Sequence, residues 1–218
     1  MNINIRVVGP INTGTNLINR ILENNKFNIN NVYVEDTDKK YYYKHTILFD
    51  NLESYLKENN NNYLVIMYKN LYNWLYSVQK SSYELEFKNL KDPIKQENIE
   101  YSNIIQLYNN YYNMYYQLYS IFNDKIIIID YYKIIQNNSF DYLNTKLSKF
   151  NLSINSSQKY YNTLNKPSKT HGNPVKNSKE ALKKYLENQT RVKYHIYNYT
   201  NIHTSINNSL IKLYENTF

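Results

Sequence analysis

The sequence predicts an α/β domain with a mostly parallel central sheet flanked by helices, and three observations lead there. Apolar, β-branched runs at residues 3–8, 63–68 and 125–130 have the unbroken character of strands buried on both faces. Stretches of helical period separate them, so strand and helix alternate along the chain. The first run stops at Gly9-Pro10, passes through a short polar loop and enters a helix, which is how a βαβ unit opens.

Taken in order, Leu17, Ile18, Ile21 and Leu22 set a helix over residues 15–25. Residues 32–34 form a second short strand, and residues 41–49, around Lys44 and His45, a third extended piece. Leu52, Tyr55 and Leu56 mark a helix over 50–60, and the Asn tract at 59–62 reads as a loop. The run at 63–68 is a central strand, followed by a helix over 71–80. From Ile104 to Ile121 the apolar positions keep a helical period, predicting the longest helix over 98–122. After the strand at 125–130 come a helix through Phe140, Leu143 and Leu147 and a segment centred on Tyr160. A polar loop at 166–177 and two closing helices near 178–189 and 201–216 end the chain.

At 218 residues the chain suits one domain, with a core over about residues 1–152 and a helical C-terminal extension over 153–218. Asn, Lys, Tyr and Ile are over-used, with 27 Tyr against three Gly and four Pro. All four favoured residues have A+T-rich codons, so the skew reads as coding bias, with most tyrosines standing in for Phe, Leu or Trp at half-buried positions. The formal charge of +8 points to anionic partners, although all but three of the 26 basic residues are Lys and share that bias. With no cysteine there is no disulfide, thiolate metal site or cysteine nucleophile. His195 and His203 lack the spacing and acidic company of a metal site, so no metal is expected. The chain opens directly on a strand, and no run approaches the roughly 18 apolar residues that span a bilayer. The expectation is a soluble, cytoplasmic protein.

Two of the three glycines fall in the loop Gly9-Pro10-Ile11-Asn12-Thr13-Gly14-Thr15-Asn16. Glycine at such places lets successive backbone N–H groups turn toward an anion, and the helix that follows aims its own N–H groups at the same charge. The spacing is that of a phosphate-binding loop, but Thr15-Asn16 stands where a nucleotide triphosphatase carries Lys and a hydroxyl residue. Phosphoryl transfer with Mg²⁺ is therefore disfavoured. The competing reading is an ordinary strand-to-helix turn capped by Thr or Asn.

Asn12-Thr13-Gly14-Thr15-Asn16 resembles the loop with which sulfotransferases hold the 5′ end of the sulfate donor 3′-phosphoadenosine 5′-phosphosulfate, PAPS. A second segment, Lys69 at the end of a strand and Ser77 eight residues on, is similar to that family's 3′-phosphate motif, and a strand-end cation and a hydroxyl on the next helix can converge on one phosphate. Residues 126–131 resemble the family's late strand, with Tyr132 and Lys133 in place of its acids. The resemblance covers about residues 2–152. It implies a sulfotransferase built on a P-loop-like fold, with PAPS as donor, PAP as product and a small-molecule or glycan acceptor bearing a hydroxyl or amine. It further implies cofactor contacts from Gly9, Asn12, Thr13, Gly14, Thr15, Asn16, Lys69 and Ser77, and a catalytic base at Lys44-His45, between the two phosphate motifs.

Asn12 departs from the family, which carries a basic residue there. Lys44 can supply that charge, but on a strand it would point away from His45. His45 is either a base for the acceptor's proton or a histidine at a strand edge, and Lys69 either a phosphate ligand or a solvated lysine. Trp74 reads as helix packing rather than base stacking. Lys169, His171 and Lys176 form a basic late loop without a specific pattern. Two other functions stay open: a nucleotide-binding protein on the same scaffold without turnover, and, ranked last for want of any recognised motif, a basic nucleic-acid-binding module.

Overall fold

Strands rich in isoleucine and valine, buried on both faces, demand a layer of helices on each side, and the computed structural model has that arrangement. It describes residues 3–29, 43–82, 85–87 and 91–165, together with Lys183 and Glu187. Four strands pair in parallel: β1 (Asn4–Val8), β2 (Asn28–Ile29), β3 (Asn62–Tyr68) and β6 (Ile126–Asp130), in the order β2-β1-β3-β6. β1 and β3 run side by side from Asn4 opposite Asn62 to Val8 opposite Ile66. Chain leaving β1 crosses to β2 on one side, while chain leaving β3 crosses to β6 on the other. The carboxyl ends of β1 and β3 therefore flank a topological switch point, the crevice where open α/β sheets take ligands.

Alternate residues sort the helices. Ile5, Val7, Val65, Met67, Ile127 and Ile129 meet α1 (Thr15–Asn24), α6 (Ser139–Leu147) and α7 (Ser157–Leu164) on one face. Val8, Leu64, Ile66, Ile126 and Ile128 meet α2 (Phe49–Glu58), α3 (Leu71–Lys80) and α4 (Ile104–Ile121) on the other. A short α5 (Tyr131–Ile134) follows β6 directly, capped by the Asp130 carboxylate accepting from the Tyr132 N–H at 2.8 Å. α7 packs on α1, where Asn24 Nδ2 donates to Thr163 Oγ1 at 3.0 Å, so the core runs past residue 152 to Leu164.

Several expected elements differ from those observed. Residues 43–48 form irregular chain with a turn at 44–45 rather than a strand. The long helix begins at Ile104, not 98; before it lies an antiparallel hairpin, β4 (Ile94–Gln96) and β5 (Ile99–Tyr101). Asn62 belongs to β3 rather than to a loop. The predicted strand at 32–34, the loop at 166–177 with Lys169, His171 and Lys176, and the closing helix at 201–216 lie outside the described residues, as do His195 and His203. Of the predicted helix at 178–189 only Lys183 and Glu187 are described; both are helical and pair at 3.9 Å. Among the described residues no helix is long and apolar enough to cross a membrane, and no three His, Cys, Asp or Glu residues cluster as metal ligands would.

The tyrosines of α4 do more than fill space. Tyr108 Oη donates to Lys69 O at 2.8 Å, Tyr112 Oη donates to Met67 O at 3.3 Å and accepts from Lys69 N–H at 3.2 Å, and Tyr111 Oη donates to His45 O at 2.6 Å. Tyr108 and Tyr112 satisfy backbone groups where β3 ends, and Tyr111 one in the segment that carries His45, inside a core that excludes water. Tyr108→Phe keeps the ring and orphans one carbonyl, so urea unfolding should show a loss of about 1 kcal/mol. A Tyr112→Phe variant should lose a similar amount, with no change in m-value.

Candidate functional site

The loop after β1 starts from a close approach. A Cβ on Gly9 would stand 2.9 Å from Met67 Cβ and 2.6 Å from Thr13 Oγ1, so only glycine lets β1 end this near β3. Thr13 is fully buried and its hydroxyl donates to Pro10 O at 2.6 Å, locking the loop from inside. Asn12 takes a left-handed backbone, φ 65°, and its Nδ2 donates to Ser81 O at 2.7 Å and Ser77 O at 3.3 Å on α3. Trp74 is buried in the core, and its Nε1 donates to Ile11 O at 2.7 Å. The loop is thus laid along α3 and held there by side chains. Gly14, φ 94°, starts α1 without any side-chain cap, so the first-turn N–H groups of Thr15 and Asn16 keep their positive field. Thr15 itself is buried and Asn16 exposed.

Lys69 closes the other side. It is 7% exposed, and its ammonium donates to Asn12 O at 3.0 Å and Ser77 Oγ at 2.8 Å while lying 4.7 Å from the centre of the Tyr131 ring. Ser77 Oγ in turn donates to Asn73 O at 2.9 Å. Both predicted phosphate motifs therefore meet at one point, through direct hydrogen bonds. Tyr131 also covers Gly14, where a Cβ would fall 2.7 Å from its ring, and burial pushes its phenol up to about 12.

Lys44 and His45 both face the loop, because the irregular chain at 43–48 removes the strand alternation that would have opposed them. Lys44 Nζ donates to Asn16 Oδ1 at 2.6 Å. His45 Nδ1 lies 2.6 Å from Gly9 O, and since a carbonyl only accepts, Nδ1 carries the proton and Nε2 keeps its lone pair. Burial, opposed by that hydrogen bond and reinforced by the charge on Lys44, lowers the imidazole to about 4. His45 is therefore neutral at pH 7.

Two residues of the site have no role assigned from the sequence, Asn73 and Tyr131, although Tyr131 closes the segment that resembles the late strand. Asn73 is 1% exposed, one helical turn before Ser77 on the same face of α3, and neither its Oδ1 nor its Nδ2 meets a protein hydrogen-bond partner among the described residues. Its place one helical turn before Ser77 was the available clue. Tyr131 follows the last strand directly, and the rule that ligands gather beyond strand carboxyl ends would have singled it out. The chain matches no protein-family model and no curated protein.

A neutral buried imidazole links stability to pH. Its ordinary value is 6.5 and its folded value about 4, so between them the unfolded chain binds more protons. The contribution is whole above pH 6.5 and drains away as pH falls through 4. Urea midpoints measured from pH 7.5 down to 4.5 should therefore drop more steeply for the native chain than for His45→Gln, whose carboxylates titrate alike.

Proposed function

We propose that this protein is a sulfotransferase of P-loop-like fold that uses PAPS as donor. The carrying observation is the contact of Lys69 with both Ser77 Oγ and Asn12 O, which joins a phosphate-type loop to a second cation–hydroxyl pair at the switch point of a parallel sheet. The residues present suit a doubly phosphorylated nucleotide. The uncapped start of α1, at Gly14, Thr15 and Asn16, with Lys44 beside it, would hold the 5′ end. Lys69, Ser77 and the unsatisfied carboxamide of Asn73 would hold the 3′-phosphate. Asn12 and Thr13 spend their side chains on the protein, so their part is to shape the loop.

PAPS, when bound, supplies an activated sulfuryl group on a phosphate leaving group. His45 stands against the first residue of the loop with Nε2 unprotonated at neutral pH, ready to take the proton of an acceptor hydroxyl or amine. A bound phosphate raises its proton affinity by adding negative charge nearby. Lys44 supplies a positive charge beside the loop that Asn12 lacks. Holding donor and acceptor in line would account for much of the rate.

A second reading, nucleotide binding without turnover, draws on Asn12, whose amide is committed to α3. Incubation with labelled PAPS and a panel of sugars, phenols and tyrosyl peptides separates the two: transfer to any acceptor supports the enzyme, while PAP binding with no labelled product leaves only the binder. Calorimetry tests the site itself. Lys69→Met should weaken PAP by about 10–100-fold and erase the preference for PAP over AMP. Asn73→Leu removes an unsatisfied amide at similar volume, so its melting temperature should hold or rise while PAP affinity falls. Equal PAP and AMP affinity in the native chain would sink the assignment of Lys69 and Ser77.

A further inference from the structure

The turn between β4 and β5 is unusual. Its two residues, Glu97 and Asn98, both have positive φ, 46° and 66°, which is the backbone of a tight type I′ hairpin. Asparagine and glycine tolerate that region, whereas glutamate adopts it only under steric strain. A strained residue persists where its side chain is engaged. Glu97 Oε2 accepts from Ile47 N–H at 2.5 Å and from Thr46 Oγ1 at 3.0 Å, in the segment that carries His45.

That segment is held residue by residue from remote elements. Arg6 Nη2, from β1, donates to Tyr43 O at 3.1 Å. Gly9 N–H donates to Lys44 O at 3.0 Å, and Tyr111 Oη from α4 donates to His45 O at 2.6 Å. Glu97 takes the next two positions, so five consecutive residues of irregular chain are each fastened at least once from outside the segment. Turns of this kind have no ladder of their own and drift without such ties. Of the four fastenings, Glu97 is the one reached only across a hairpin, and it is the one bought with backbone strain.

We propose that Glu97 is a positioning residue for His45: its carboxylate clamps Thr46 and Ile47 and so keeps the imidazole, through Nδ1, against Gly9 O. This rests on the reading of His45 as the base, but the clamp itself is testable in the resting protein. Its neighbours include Lys44, the Tyr43 ring edge-on to His45, and the buried hydroxyls of Tyr101 and Tyr111.

The test follows the ring of His45 by NMR in histidine-labelled full-length chain, with His45→Gln to assign its signal. Glu97→Ala should free the turn, expose the ring and move its titration midpoint up by about one unit or more toward the ordinary value. Glu97→Gln keeps an acceptor oxygen at the same reach and should restore the native midpoint. Glu97→Asn suits the left-handed backbone but stops short of Thr46, so it should keep the hairpin and still release His45. Native titration in both the Ala and Asn variants overturns the proposal, as does a Gln variant that behaves like Ala. In sulfate transfer, Glu97→Ala should lower kcat at least 10-fold with KM for PAPS within 2-fold, on the order expected for a displaced base. A native chain that transfers nothing defeats the enzyme reading alone and leaves the titration arm to decide the clamp.

Discussion

β1 and β3 approach so closely at their carboxyl ends that a Cβ on Gly9 would stand 3.0 Å from Met67 O, and this approach sets the position of every group at the site. Two residues beyond Met67, Lys69 falls within hydrogen-bonding distance of Asn12 O. From the same place, Gly9 O is presented to His45 Nδ1 and Gly9 N–H to Lys44 O. A loop that lay even slightly higher would lose all three contacts, because hydrogen bonds tolerate only a few tenths of an ångström. The buried ammonium then fastens the arrangement, with Ser77 Oγ and the Tyr131 ring as its other neighbours.

Tyrosine serves this architecture in a way that its abundance conceals. Coding bias accounts for the number of tyrosines, but Tyr108, Tyr111 and Tyr112 each place a hydroxyl on a backbone atom at the site's edge. On the opposite face Tyr142 Oη accepts from Asp130 N–H at 2.9 Å, where β6 ends. The rings supply the apolar area that Phe would, while the hydroxyls replace water at strand ends that the helices cover. A drift in composition has been turned to structural use at particular positions.

Where the sequence reading went astray, long-range contacts were responsible. The helix expected to start at 98 starts at Ile104, because Ile99 and Tyr101 sit in a hairpin whose turn is set by left-handed Glu97 and Asn98. Residues 41–49 have the composition of a strand, but hydrogen bonds with Arg6, Gly9, Tyr111 and Glu97 hold residues 43–47 as irregular chain with a turn at 44–45. That change is what lets Lys44 and His45 face the loop together. Asn73 differs in that its place one turn before Ser77 acquires meaning only once its burial is known.

The alternation of strand and helix, the glycines at the loop and the interval between Lys69 and Ser77 could be read directly, since hydrophobic period, backbone freedom at φ 94° and helical rise are properties of neighbouring residues. Only the folded chain decided that Asn12 would turn to α3, that His45 would lie beside Gly9 and that Asn73 would be buried with no side-chain partner among the described residues. Asn12 and Ser77 are 65 residues apart and Gly9 and His45 36 apart, so their meeting depends on parallel pairing of distant strands, which no local pattern encodes.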